Sequence, residues 1–444
     1  MKKTIFMLIA FTLSVNAQEV KMLSLKDAIN YALQNKSEAI KANLAVENSE
    51  YQIQEVRSQA LPQISANGNL TYNPIIQQTV IDGASFGQPG TTIQAEFGQK
   101  WTSVAGVSLT QNIFNQQVFT GLKAAKTTRE FYKINKDLTD EQVIERVANA
   151  YYQVYLQRQK LTVIENNLKN TTKVKEIIKN LFDNGLAKKI DLDRITVTLN
   201  NITTTRQQLL NAVEVQENAL KFYMGMPMDE KITIPDSEVE VTPLQLEESA
   251  NTALRSEYKL LESQKSLLEL NKQAMKSLYY PTLSLTAGYN YIGQGPQMPW
   301  GARPSDKVYW SDFSSVGLNL NIPIFTGFGT RAKVRQADID VREAEADLAD
   351  TKLSLDLAYK NAKTQIENSL ITIENQRQNV TLAQEVLDNT QNNYVNGLAT
   401  LTDLLDAENS LVESQNNYNN ALLEYKLAEI QLIKSKGELK TLIN

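Results

Sequence analysis

Two hydrophobic periods alternate along this chain. After Pro62 the period is two: Ile64, Ala66, Gly68, Leu70 and Tyr72 share one face, and Ser65, Asn67, Asn69, Thr71 and Asn73 the other. After Pro281, Leu283, Leu285, Ala287, Tyr289 and Tyr291 stand against Ser284, Thr286, Gly288 and Asn290. Two returning runs behave alike. Ala105, Val107, Leu109 and Ile113 oppose Gly106, Ser108, Thr110 and Asn112, and Val316, Leu318, Leu320, Ile322 and Ile324 oppose Gly317, Asn319 and Asn321. These patterns predict strands at about 62–73, 101–114, 281–292 and 310–325. Over about 118–183 and 330–395 the pattern is helical and no proline interrupts it. Helices of that length rise roughly 95–100 Å each, deeper than any globular core of this size, so a coiled coil is expected. Ile366, Ile373, Val380, Leu387 and Tyr394 recur at heptad spacing with Leu370 and Ala383 between them. Val147, Val154, Leu161, Leu168 and Phe182 follow the same rhythm, broken at Lys175. Return helices at about 187–224 and 399–436 are shorter, roughly 57 Å each. Helices at about 37–60 and 256–279 supply the missing length if they stack end to end with them.

The two halves are copies of one another. "LSLKDAINYAL" (23–33) pairs with "LQLEESANTAL" (244–254), and the segment from Ser37 to Tyr72 with that from Ser256 to Tyr291, Pro62 falling on Pro281. "AGVSLTQNIF" (105–114) pairs with "VGLNLNIPIF" (316–325), and "NGLAKKIDLDRI" (184–195) with "NGLATLTDLLDA" (396–407). The order never changes and the offset drifts only from 221 to 211, which loop insertions absorb. The chain therefore divides into a leader over 1–17, a first repeat over 18–227, a linker over 228–243 and a second repeat over 244–444.

Strands of about ten residues, apolar on one face and rich in Ser, Thr, Asn and Gly on the other, suit a membrane barrel, though a soluble sandwich alternates in the same way. Three features favour the membrane. Trp101, Trp300 and Trp310 all lie at strand ends or in the connecting loop, where amphipathic rings meet headgroups. The loops at about 74–100 and 292–309 are long and rich in Gly and Pro. Four strands cannot close a membrane barrel, which needs about eight or more, so several copies must share one.

Composition narrows the chemistry. The chain begins MKKTIFMLIAFTLSVNAQ, with Lys2 and Lys3 before a short apolar run and a small-residue site at Val15-Asn16-Ala17, the form of a secretory signal peptide. No later segment is apolar enough to span a bilayer as a helix, so any spanning must use strands. With no His and no Cys, thiol nucleophiles, histidine bases and the usual zinc sites are excluded, and no catalytic, cofactor or metal site is expected. Formal charge is −5, a poor match for nucleic acid.

The duplicated halves, Pro62 and Pro281, "NIPIFTGFG" (321–329) and "YVNGLATLTDLLDAENSL" (394–411) together resemble the TolC-type outer-membrane channel proteins of bacterial efflux and type I secretion. The resemblance covers nearly all of the chain after its leader. It implies an α+β membrane protein built as a homotrimer. Long coiled-coil helices form a periplasmic α-barrel, and four transmembrane strands per chain contribute to a twelve-stranded β-barrel. It implies a passive exit duct embedded in outer-membrane lipid, opened by a periplasmic adaptor (a membrane fusion protein) and energised by an inner-membrane pump. On this resemblance Asp403 and Asp406 correspond to an anionic ring at the entrance, Asp191 to polar links that hold the closed state, and Tyr394 to a position in that constriction. The turns Asn184-Gly185-Leu186 and Asn396-Gly397-Leu398 would meet the adaptor. Trp101, Trp310, Tyr72 and Tyr291 would lie at the membrane interface. Helix capping is the local alternative for each aspartate. One departure stands out: the family's frequent basic residue two positions after the second glycine is Ala399 here, so that either Lys188 and Lys189 in the other turn replace it or the closure is looser. The competing reading without a pore is an exported periplasmic coiled-coil scaffold.

Overall fold

The computed structural model describes residues 21–87, 89–235, 241 and 248–443; the leader and part of the linker read from sequence (236–240, 242 and 243) lie outside them. In chain order the elements are β1 (Lys21–Met22), α1 (Leu25–Asn35), α2 (Ser37–Ser58), β2 (Gln63–Tyr72), β3 (Gln78–Asp82), β4 (Thr92–Glu96), β5 (Trp101–Phe114), α3 (Gln116–Asp183) and α4 (Lys189–Met224). The second half follows with β6 (Ile232–Thr233), α5 (Ser256–Ser277), β7 (Thr282–Gly295), β8 (Tyr309–Asn321), α6 (Gly329–Val395) and α7 (Leu401–Lys436). No helix among the described residues is long and apolar enough to cross a membrane.

The chain divides into two compact units. The strand-bearing unit comprises Val46–Tyr132 and Glu262–Ala346. Its main sheet has the order β2-β5-β7-β8, every neighbouring pair antiparallel. The two repeats are thus joined through β5 and β7. The register aligns the apolar sides of all four strands: Ala66 pairs with Val107, Val107 with Tyr289, and Ala287 with Val316. The opposite face is polar, with Ser65 and Ser108 hydroxyls 2.8 Å apart. Alternation in the sequence therefore becomes one continuous apolar surface, and Val316 (78 % exposed) and Leu318 (69 % exposed) stand on it. At one end of the sheet Tyr72 meets Trp101, ring centroids 4.6 Å apart, and Tyr291 stacks on Trp310 at 4.8 Å.

Two expectations about the strands need correction. The final strand stops at Asn321 rather than running to 325, because Pro323 has no N–H to give the ladder. Ile322 and Ile324 are exposed, but beyond the strand. In the first copy, with Asn112 at the proline position, β5 continues to Phe114 through a bulge between Asn112 and Phe114. The loop expected at about 74–100 also carries structure of its own, the hairpin β3–β4 with Ile81 paired to Ile93. Beside the sheet the helices are tied by ion pairs: Lys265 to Glu345 at 2.9 Å, Arg129 to Glu50 at 3.3 Å, and Lys272 to Asp338.

The helical unit contains the remaining described residues, those that fall within 21–45, 133–261 and 347–443. Its larger core joins Val147 and Val154 of α3, Leu220 and Met224 of α4, Ile366 of α6 and Tyr425 of α7, all fully buried. These include heptad positions read from the sequence; the stripe runs out at Phe182, which is exposed beside the turn. A smaller core gathers Val174, Ile178, Ile195, Leu387, Leu401 and Leu404 next to the two turns. The halves are not identical here. α1 is a full helix closed by a Ser24/Asp27 capping box, whereas the described part of its counterpart is a single 3-10 turn at Thr252–Leu254.

Candidate functional site

The two NGLA turns have the same construction. Gly185 has φ +74° and Gly397 φ +73°, left-handed values that glycine adopts without strain. Around each, two backbone bonds close a Schellman motif. Leu186 N–H donates to Leu181 O at 2.8 Å and Gly185 N–H to Phe182 O at 2.9 Å; Leu398 N–H donates to Asn393 O at 2.8 Å and Gly397 N–H to Tyr394 O at 3.0 Å. Asn184 and Asn396 use their side-chain amides alike, donating to Asn180 O at 2.7 Å and Asn392 O at 2.8 Å. The carbonyls orphaned at each helix end are thereby satisfied locally. Nothing local covers the next residue, and Leu186 (77 %) and Leu398 (79 %) are exposed.

Past the turns the copies diverge. Thr400 caps α7 in a reciprocal box: Asp403 N–H donates to Thr400 Oγ1 at 3.2 Å, while Thr400 N–H and Oγ1–H donate to Asp403 Oδ2 at 2.8 and 2.7 Å. The Thr400 hydroxyl and amide hold the Asp403 carboxyl below the usual aspartate range. Asp403 therefore fills the capping role that sequence offered as its alternative, while remaining exposed. Asp406, one turn on, is exposed as well. In α4 the cap is Lys188, which makes no side-chain cap bond, so Asp191 has no box to complete. Asp191 instead lines an open cleft of about 560 Å³ with Leu186, Lys188, Tyr394, Ala399 and Leu404. Burial first, and then the nearby Asp191 charge, push the Tyr394 phenol above its ordinary value. Asp191 and Tyr394, 203 residues apart, are brought to one cleft, whereas Asp403 and Asp406 line no part of it.

Two further residues escaped sequence reasoning. Arg194 links the turns where Ala399 lacks a basic group, its Nη1 donating to Thr402 Oγ1. Counting 212 positions on, Arg194 falls opposite Asp406, a charge reversal visible only when the copies are aligned. Glu408 is buried on α7, and its signal was a carboxylate standing in the apolar stripe Leu401, Leu404, Leu411.

Relatives share this build. The outer membrane protein TolC of Vibrio cholerae is 24% identical over 340 residues, covering 76% of this chain and 76% of its own. The TolC of Escherichia coli is 24% identical over 459 residues, covering 99% and 87%. The crystal structure of VceC, an outer membrane protein of Vibrio cholerae, superposes with TM-score 0.73 at 17% identity, over 93% of this chain and 96% of that one. At that identity the superposition speaks for the fold alone: a helical barrel with membrane strands. The outer membrane efflux protein family matches residues 28–226 and 250–438, one segment in each repeat, and the chain belongs to that family.

Proposed function

We propose that three copies of this chain close a single outer-membrane channel that serves as the exit duct of a tripartite efflux or type I secretion system. The carrying observation is the four-stranded sheet, apolar across one face, with β2 and β8 as its free edges. Successive antiparallel pairings make β2 and β8 run in opposite directions. β8 of one copy can therefore continue the ladder onto β2 of the next, and three copies give twelve strands, within the range of membrane barrels. A single copy in lipid would leave two edges of unpaired N–H and C=O groups. At several kcal/mol per group that cost is on the order of tens of kcal/mol. Trp101, Trp310, Tyr72 and Tyr291, gathered at one sheet end, would sit at the membrane interface.

The helical unit would form the periplasmic tunnel, with the two turns at its entrance. Leu186 and Leu398, exposed on rigid glycine turns, suit contact with a periplasmic adaptor that couples the duct to an inner-membrane pump. Asp403 and Asp406, each repeated three times around the axis, would make an anionic entrance that concentrates cations, and Asp191 with Tyr394 would hold the closed state. Detergent-solubilised protein should migrate as a trimer and conduct ions in planar bilayers. A monomer recovered from water without detergent would refute this reading.

A further inference from the structure

About 10 Å along α7 from its first residue, a carboxyl group is packed where the helix stripe calls for leucine. Glu408 is 8 % exposed. It faces Thr171 of α3, which is fully buried, and beyond it Asn167. Thr171 Oγ1 is 3.2 Å from Glu408 Oε2 and 3.1 Å from Asn167 Oδ1, both acceptors as the groups are oriented. A hydroxyl carries one proton and cannot serve both. One more proton resolves the conflict. If it resides on Glu408, the carboxyl donates to Thr171 and Thr171 donates to Asn167, so each of the two contacts has a proton of its own.

The surroundings favour a proton over a metal cation or a cationic ligand. Glu408 borders a polar cavity of about 320 Å³ lined by Asn166, Asn170, Gln384 and Gln415, so water can carry protons to it. The charged groups facing that cavity are Lys169 and Lys173 of α3, both exposed and of the wrong sign for a cation site. From α6, Gln384 turns its amide onto Asp388 at 2.9 Å, and no titratable residue of α4 lines the cavity. Among the described residues no acidic cluster fit for a metal ion exists. Position 196, the counterpart of Glu408 in the first copy, is Thr196, whose hydroxyl donates to Leu192 O at 2.7 Å. The feature therefore belongs to the second turn alone.

We propose that Glu408 is a proton-operated wedge: protonated, it lets the first turns of α7 seat on α3, and ionised, it drives them apart and favours an open entrance. This rests on the channel reading, in which α7 leads from the entrance turn. Burial supports the direction, pushing the Glu408 carboxyl above its ordinary 4.5 against the opposing bond from Thr171. The sign follows. A group whose value is raised in the packed state disfavours packing once ionised, so seating is fully favoured below 4.5 and weakens as pH climbs towards the raised value. Within that window the opening equilibrium of each protomer changes by up to about tenfold per pH unit.

The test uses full-length trimers in planar bilayers at about pH 4 and about pH 8, below and well above the ordinary glutamate value. Wild-type conductance is expected to rise with pH. Glu408→Gln, a shape copy of the protonated acid, should stay low at both values. Glu408→Gln retaining the wild-type pH response would overturn the proposal. In parallel, amide exchange over residues 401–412 is compared between wild type and Glu408→Gln at each pH in detergent. Protection in the variant equal to wild type at the higher pH would also overturn it. Absence of trimer and of conductance at every pH would instead sink the channel reading, while the exchange comparison still decides the role of Glu408.

Discussion

Replacing Val316 with arginine tests which side of the sheet meets lipid. Val316 lies midway along β8, 78 % exposed, beside Leu318 and Leu320 on the same face and paired with Ala287. A charged side chain on the lipid face near the bilayer midplane costs about 2–4 kcal/mol, a shift of roughly 30- to 900-fold in the insertion equilibrium of each protomer. With three copies per barrel the total would be about 6–12 kcal/mol if the sites are independent. Its neighbour Ser315 supplies the control. It sits at the same depth, points to the polar face and pairs with Gly288, whose missing side chain leaves room for a longer one. Ser315→Arg should therefore stay within the ±0.5 kcal/mol or so of an ordinary solvated substitution. Urea unfolding from lipid vesicles, followed by tryptophan fluorescence, measures both variants. A large loss for Val316→Arg with little for Ser315→Arg is the expected pattern. Equal losses, or a larger loss for Ser315→Arg, would refute the assignment of faces.

Thr400→Ala should cost about 1 kcal/mol by removing the cap of α7, whereas Lys188→Ala should cost little, since Lys188 caps nothing with its side chain; amide exchange in the first turns of α7 and α4 separates the two. Gly397→Ala meets no atom within 4 Å, so its expected loss of about 1–2 kcal/mol is the backbone strain of φ +73° alone, read from thermal stability. Because the Asp403 carboxyl is held low by Thr400, its capping contribution should persist above the ordinary 3.8 and fade as pH falls below it; exchange rates in the first turn of α7 that do not change with acid would contradict this. Asp403→Ala combined with Asp406→Ala should weaken block of bilayer conductance by multivalent cations, and unchanged block would remove both residues from the entrance ring.

How much was legible in the chain depends on the range of the forces involved. Strand alternation, helix heptads, the duplication and the glycine turns are written in neighbours within a few residues, because φ preference and side-chain period are local properties. The four main strands, the long helices and the paired turns could accordingly be read from sequence, and the early stop of β8 was foreshadowed by Pro323 itself. The hairpin β3–β4 lay in a stretch with no clear period. What tertiary structure decided are the meetings of residues far apart. It joined the repeats through β5 and β7, set Asp191 beside Tyr394, and bound Arg194 to Thr402. It also separated three carboxylates that look alike in sequence: Asp403 closes its own helix, Asp406 stands in solvent, and Glu408 is buried against Thr171. The local stripe marks Glu408 as facing the core, but its proton affinity and partner are set by the helix packed against it, which here comes from the other copy of the repeat.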